Sequence, residues 1–427
     1  MPTGTDIVKI SRISKLTEPE ISKKVFSPDE AEYILSRFNR NQTAAGMFAA
    51  KEAFLKMLGM GITSLDLSEI EVLHSENGKP YYKLSGNALD IANSQALELP
   101  ELSISHDGEY AAAVAFCASS RIAASYQNAV SVYDFCEDSC ITPEKIHPLL
   151  PKRASVSHKG SYGRLFALAG SKGLTGAAVM ACSSALKCGA GLITLGCAES
   201  LNTIFEIALK EVMTMPLNDE NGIISAKAIP KIIKSINSSD VCLFGPGAGK
   251  SNGITKIAES ITSIENAYVI ADADALNAMA DTPDILKNNK SKLILTPHIG
   301  EFSRLTGLST EKILSDTKKY ASDFAKKYNV TLVLKSHRTV VCSPDGRCLK
   351  NISGNPGMAT GGTGDVLAGV IASFAAQGMN PFDAAITGVY IHSLAADMAA
   401  QEFGEYSLTP SDIISYLPYA IKFSSGR

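Results

Sequence analysis

The chain has 427 residues, 45% hydrophobic and 19% charged, with 33 Gly and 18 Pro, which excludes disorder as the main state and supports more than one packed core. Forty Lys and Arg against 43 Asp and Glu leave a net charge of −3, too little positive field for nucleic acid or anionic lipid. No apolar run nears the roughly 20 residues of a membrane helix, and the opening MPTGTDIVKI lacks an apolar secretory stretch, so a cytoplasmic protein is expected.

In chain order, three N-terminal segments stand out: GTDIVKISR (Gly4 to Arg12), MFAAKEAFLK (Met47 to Lys56) and LSISHDGEYAAAVAF (Leu102 to Phe116). The middle one reads as a helix by propensity. Phe48, Glu52 and Lys56 recur one turn apart, so Glu52 and Lys56 share a face. AAAVAF (Ala111 to Phe116) reads as the strand that closes this module. The stretch SSRIAASYQNAVSVYDFCEDSC has no clean period and reads as a connector. Its Cys136 and Cys140 have no neighbouring His and make a poor zinc site. The nine scattered Cys, with no CxxC pair, are expected as reduced thiols.

From Pro143 onward the pattern becomes strand, glycine turn, helix, repeated. RLFALAGS, a helix from about Gly176 to Lys187, GLITLG, DVCLFGPGAG, AYVIADAD, KLILTPH and VTLVLKS follow one another. Short apolar runs between amphipathic helices indicate a mostly parallel sheet with helices on both faces. The expected division is residues 1–120, a connector at 121–139, and residues 140–427.

The segment NPGMATGGTGDVLAGVIA (Asn355 to Ala372) carries the most chemistry. Gly361, Gly362 and Gly364, with Thr363 among them, let backbone amides close on an anion at a helix N-terminus. Asp365 falls in the first turn. An Asp there is often only a dipole or capping partner, but a cap needs no glycine run. Loop, helix end and carboxylate together suggest phosphoryl transfer to a hydroxyl, with Asp365 as base and the amides as anion hole. His298 follows a buried strand, where open α/β sheets bind ligands. Asp272 and Asp274 read as metal ligands or as a helix cap and receive no catalytic role. His392 reads as core, His74 as surface, and Lys172 as a phosphate contact or a solvated side chain.

The N-terminal segments, with the intervening GKP (Gly78 to Pro80), resemble the holo-acyl-carrier-protein synthase family of phosphopantetheinyl transferases over residues 2–117. The resemblance implies an α+β module that moves 4′-phosphopantetheine from coenzyme A to a serine of acyl carrier protein. It implies Asp6, at the end of a strand, and Glu52 as Mg²⁺ ligands, with Lys56, Ser105 and His106 contacting coenzyme A. Two carboxylates suit Mg²⁺, which keeps waters and phosphate oxygens for its other positions. Met47 stands where this family usually has Arg, so a charged contact to phosphate or carrier protein is expected to be lost, and Met47→Arg to restore it. The alternative is a module retained only for assembly.

In the second half, HKGSYGRLFALAGSKGLTGAAVMA, FGPGAG, IADADALN, LTPHIGEFSRL, VLKSHRTVV and TGGTGD occur in the order seen in NAD(P)H-hydrate dehydratases of the ribokinase-like superfamily. This resemblance spans roughly residues 140–427. It implies nucleotide-dependent dehydration of hydrated NADH and NADPH, with ADP or ATP phosphorylating the hydroxyl before elimination. Ala177, Gly249, His298 and Asp365 would contact the hydrated nicotinamide nucleotide. Lys335, Ser336, His337, Arg338, Thr339 and Gly364 would contact the adenine nucleotide; Ser336 replaces a Gly that some members carry. A small-molecule kinase of the same superfamily is the alternative. Front-type modules assemble around three-fold axes and back-type modules commonly as tetramers, so a homo-oligomer is expected. Together the two halves imply a bifunctional enzyme.

Overall fold

The computed structural model describes residues 3–15, 25–61, 64–75, 77–94, 100–116 and 139–425. Two compact units divide the chain, Met1–Gln127 and Asn128–Arg427. The expected connector, apart from Ser139, lies outside the described residues, as does Cys136.

The first unit is an antiparallel sheet in the order β1-β5-β4-β3-β2. Its strands are β1 (Thr3–Lys9), β2 (Ile70–His74), β3 (Pro80–Leu84), β4 (Glu101–Asp107) and β5 (Tyr110–Phe116). Helix α1 (Pro28–Ser36) precedes α2 (Arg40–Met57), which lies across β1 and β5. The alanines explain the close approach. Ala111, Ala113 and Ala115 of β5 face Ala49, Ala50 and Ala53 of α2, all buried, and small side chains let helix and sheet backbones come near. At Gly4 even a Cβ would collide with the Ala53 carbonyl. Asp6 is the fourth of the seven residues of β1, paired with Ala113, so it sits mid-strand rather than at a strand end. The helix predicted over Met47–Lys56 is real but begins about two turns earlier, at Arg40.

An ion pair lies inside this unit. Lys51 Nζ meets Glu30 Oε2 at 2.7 Å, both side chains fully buried. Lys51 also donates to the Leu67 carbonyl at 2.8 Å, while Glu30 accepts from the Val72 amide at 2.8 Å and caps its own helix with Ser27. Burial raises the Glu30 pKa and lowers that of Lys51, each offset by the other's charge. The pair ties α1, α2 and the β2 edge to one another.

The second unit is a nine-stranded sheet. Strands β6 (Arg164–Leu168), β7 (Leu192–Ala198), β8 (Met213–Leu217), β9 (Val241–Phe244), β10 (Tyr268–Ala271), β11 (Lys292–Leu295) and β12 (Thr331–Leu334) run parallel, and β13 (Val340–Cys342) with β14 (Cys348–Lys350) adds an antiparallel edge. The order is β14-β13-β12-β11-β10-β9-β6-β7-β8. Helices cover both faces. Those used below are α3 (Thr175–Lys187), α4 (Asp274–Asp281), α5 (Ile299–Thr306), α6 (Thr363–Ala376) and α7 (Pro381–Phe403). Helices α3 and α6 cross closely: a Cβ at Gly369 would strike the Ala181 carbonyl.

Six of these strands coincide with the apolar runs of the sequence. The edge hairpin does not, being too short and mixed to show a period. It also overturns one expectation. Cys342 and Cys348 are direct cross-strand partners with Cα atoms 4.2 Å apart, and they form a disulfide rather than two reduced thiols. The described free cysteines, Cys140, Cys182, Cys188, Cys197 and Cys242, are all buried, where they pack as small hydrophobes.

Candidate active sites of the two units

The carboxyl ends of β9 to β12 deliver the second unit's polar residues to one place. After β9 comes the loop to Gly249, after β10 Asp272 and Asp274, after β11 Thr296 and His298, and after β12 Lys335. The segment Gly361–Asp365 enters from the opposite side at the head of α6. Gly362 makes that turn at φ 100°, a conformation side-chain-bearing residues avoid.

Lys335 is the hub. Its Nζ bonds Asp272 Oδ1 at 2.7 Å, and Thr296 Oγ1 donates to the same oxygen at 2.8 Å. A Cβ at Gly364 would stand 3.3 Å from Lys335 Nζ, so the ammonium lies directly against the glycine loop. Burial alone would lower the Lys335 pKa, but Asp272, Glu301 and Asp365 outweigh it and hold the group charged. Asp365 is pushed up to about 7, first by burial and then by Asp272, with Lys335 opposing. A carboxyl poised there can take a proton near neutral pH.

The sequence left Asp272 and Asp274 as metal ligands or a helix cap with no catalytic role, and it did not single out Glu301. Asp272 is 1% exposed and positions Lys335. Asp274 accepts from the Gly249 amide at 2.9 Å and from Asn277 at 3.2 Å. Between them Ala273 has φ 50° and ψ −112°, a strained backbone that turns both carboxylates toward the site. Among the described residues no group of three or more His, Cys, Asp or Glu could hold a metal ion, and the contacts of Asp272 and Asp274 are structural.

His298 caps α5. Its Nδ1 accepts from the Gly300 and Glu301 amides at 3.0 and 3.3 Å, and Glu301 returns a bond to the His298 amide at 2.8 Å. The ring's other edge stays exposed, and its backbone bridges to Lys335. In the KSHRT segment, Ser336 and Thr339 close on each other, Arg338 reaches the Ile352 carbonyl and His337 is exposed. Ala177, in the first turn of α3, lies 2.9 Å from where a Gly247 Cβ would be, beside the loop that ends at Gly249. Lys172 is exposed.

In the first unit, Asp6, Glu52 and Lys56 meet. Lys56 Nζ bonds Asp6 Oδ1 at 2.8 Å, so it holds a carboxylate in this structure. Asp6 is buried, and its Oδ2 has no protein partner. Glu52 rises to about 6 through burial and its neighbour Asp6, with Lys56 and Arg12 opposing. Two adjoining carboxylates, one with an unpartnered buried oxygen, fit a divalent cation.

His106 lies on the same sheet face as Asp6, its Nε2 at 3.2 Å from the Gln42 carbonyl. Ser105, next to it on β4, points to the opposite, exposed face by strand alternation; the two do not converge. His74 is not a plain surface residue. Its ring stacks on Tyr33 at 4.4 Å and lines a cavity of about 190 Å³ with Met47, Ile104 and His106. Met47 itself is 1% exposed and packs in the core. An Arg there would bury its stem and bring its charge into a low-dielectric wall, so the expected gain from Met47→Arg does not follow from this geometry.

A parallel sheet with a glycine-lined helix N-terminus and a half-buried carboxyl at its carboxyl edge is the ribokinase-like arrangement. Residues 165–419 match the NAD(P)H-hydrate dehydratase family model, and residues 2–115 match the 4′-phosphopantetheinyl transferase superfamily. The chain belongs to the NAD(P)H-hydrate dehydratase family and carries a phosphopantetheinyl transferase-type module in front.

It is 39% identical over 274 residues to the bifunctional NAD(P)H-hydrate repair enzyme of Moorella thermoacetica, covering 64% of this chain and 52% of that protein. It is 33% identical to the ADP-dependent (S)-NAD(P)H-hydrate dehydratase of Listeria monocytogenes, over 67% of this chain and 97% of that one. Among solved structures, the ADP/ATP-dependent NAD(P)H-hydrate dehydratase of Bacillus subtilis, co-crystallised with ATP/Mg²⁺, aligns at TM-score 0.58 and 29% identity, over 67% of this chain and 98% of that one. The chain spans about half the length of the bifunctional relatives it matches. No described helix is long and apolar enough to cross a membrane.

Proposed function

We propose that the second unit restores NADH and NADPH from their hydrates, using ADP or ATP. Water added across the nicotinamide C5=C6 bond leaves a hydroxyl that departs poorly. Asp365 takes the hydroxyl proton as its oxygen attacks the terminal phosphorus, and AMP or ADP leaves. The C–O bond then breaks, phosphate departs with the electron pair, and loss of the C5 proton restores the double bond. The glycine amides of residues 361–364 and Lys335 stabilise charge on the transferred group. The observation that carries this reading is Asp365, raised to about 7, at the head of a helix whose loop rests on the Lys335 ammonium. The test is recovery of NADH absorbance from hydrated NADH with ADP or ATP. Absence of recovery with both donors, alongside phosphorylation of another alcohol, would favour a small-molecule kinase.

The first unit is proposed to transfer 4′-phosphopantetheine from coenzyme A to a serine of acyl carrier protein. Asp6 and Glu52 would hold Mg²⁺, which when bound neutralises pyrophosphate charge as 3′,5′-ADP leaves. Lys56 holds Asp6 in place, and His106 stands on the same face for the nucleotide end of coenzyme A. Mass spectrometry of apo carrier protein with coenzyme A and Mg²⁺ tests the transfer. An unmodified carrier protein would leave the module an assembly role. A homo-oligomer is supported by the sheet face away from α2, where Ile7, Tyr110, Val114 and Phe116 are exposed.

A further inference from the structure

Helix α7 is buried along most of its length and carries none of the residues assigned to a substrate, yet it holds the segment that leads into the glycine loop. That segment leaves β14 at Lys350 and enters α6 at Thr363, with one short helical turn between them, Pro356–Met358. Its start is fixed by Ser393, which bonds Asn351 at 3.1 Å and Ser353 at 2.7 Å. Its middle is fixed by Asp397. One carboxylate oxygen accepts from the Gly354 amide and the other from the Asn355 side chain, both at 2.8 Å. Asn355 passes the constraint on, its side-chain oxygen accepting from the Gly357 amide at 3.1 Å. Thr360 Oγ1 then donates to the Gly357 carbonyl at 2.9 Å, and the Thr363 amide to the Thr360 carbonyl at 3.3 Å. These bonds run from α7 to the first residue of α6, two residues before Asp365.

We propose that Asp397 is a positioning residue for the dehydratase reaction, fixing through Asn355 the turn that presents the glycine amides and Asp365. The proposal rests on the dehydratase reading of this site. A carboxylate only accepts and a backbone N–H only donates, so the residue between Asp397 and Gly357 must donate on one side and accept on the other. The Asn355 amide does both. Gly357 has no room to drift, because a Cβ there would lie 2.6 Å from the Glu405 carbonyl oxygen. The turn is therefore held between the chain beyond α7 on one side and the Asp397 carboxylate on the other. Asp397 is half-buried, and withdrawing a carboxylate from water costs free energy unless its bonds are made. An apolar residue would serve packing better; both bonds of this carboxylate go to adjacent residues of the loop.

The experiment compares Asp397→Asn, Asn355→Asp and the swapped pair carrying both changes, each in the full chain. Asp397→Asn sets an amide donor against the Gly354 N–H or the Asn355 amide and loses one bond; Asn355→Asp sets two carboxylates face to face. The swapped pair restores all three bonds. Its new amide donates to the new carboxylate and keeps an oxygen for Gly354, while that carboxylate still accepts from Gly357. In each single variant kcat for hydrated NADH should fall about 10- to 100-fold, as small displacements of reacting groups do, with KM within about twofold. The swapped pair should return kcat to within about fivefold of wild type. Amide hydrogen exchange over residues 357–365, read without substrate, should rise in the single variants and recover in the swapped pair. Turnover is measured well below the lowest melting temperature, where a residue needed only for stability leaves kcat unchanged. Wild-type kcat in both single variants there would overturn the proposal. So would a kcat that stays low in the swapped pair after melting and hydrogen exchange have recovered. If the wild-type chain does not turn over hydrated NADH, the dehydratase reading fails, and hydrogen exchange alone decides whether Asp397 fixes the loop. Should the single variants not fold, Asn355→Ala breaks the chain of bonds while leaving Asp397 bonded to Gly354, and wild-type kcat in that variant refutes the proposal.

Discussion

Replacing Asp365 by Asn separates chemistry from stability. The side chain keeps its size and its place in the first turn of α6 but cannot accept a proton. A positioned base is worth about 10²–10⁴-fold, so kcat for hydrated NADH should fall at least a hundredfold. Stability should move the other way, and the structure sets the size. The folded-state pKa of Asp365 is about 7 against an ordinary 3.8, so the native state holds this proton more tightly than the unfolded chain. Ionising it therefore costs native stability. The cost is absent below about pH 4, grows as pH rises, and is complete above about pH 7. Three pKa units correspond to roughly 4 kcal/mol as an upper bound. Asp365→Asn should thus unfold at higher temperature than wild type at pH 8 and with no such gain at pH 4. Wild-type turnover should itself rise with pH through about 7. Thermal melts at the two pH values and NADH absorbance on the same preparations make the test. Near-wild-type turnover would refute the base assignment; a destabilised variant at pH 8 would refute the electrostatic account.

In the first unit, Asp6→Asn or Glu52→Gln should abolish pantetheine transfer while hydrated-NADH turnover stays unchanged, which two assays on one sample will show. Because Glu52 sits at about 6, transfer at limiting Mg²⁺ should fall as pH drops through that value, and added Mg²⁺ should shift the fall to lower pH. Lys51→Ala strands the buried Glu30 carboxylate and should cost about 3–5 kcal/mol in denaturant unfolding of this unit. The double change Lys51→Met with Glu30→Leu should recover most of that loss. Ala273→Gly removes the left-handed strain beside Asp272 and should stabilise the second unit by about 1 kcal/mol, with kcat rather than KM responding if the strain aims the two carboxylates.

The parts written locally were legible. Six strands of the large sheet are apolar runs with no polar alternative, and helices α2 and α3 declare themselves by propensity and spacing. The glycines at 361, 362 and 364 mark the turn, in which Gly362 takes a positive φ, and Asp365 follows them within the same few residues. Glu52 and Lys56 share a helix face because 3.6-residue periodicity puts them there. What the sequence did not disclose depends on groups far apart in the chain. Lys335 and Asp272 are 63 residues apart and pair because parallel strands β10, β11 and β12 end side by side. Glu30 and Lys51 look like ordinary surface charges until α1 packs on α2 and removes both from water. Met47 seemed a missing cation, but its burial was fixed by the sheet beneath α2. Cys342 and Cys348 face each other only through hairpin register, and Ser105 parts from His106 through strand alternation on a strand whose register the sequence leaves open. Periodicity and glycine tolerance act between near neighbours, so the sequence alone determined the elements and the loop; burial, charge pairing and pKa depend on what surrounds a group, so only the tertiary structure decided them.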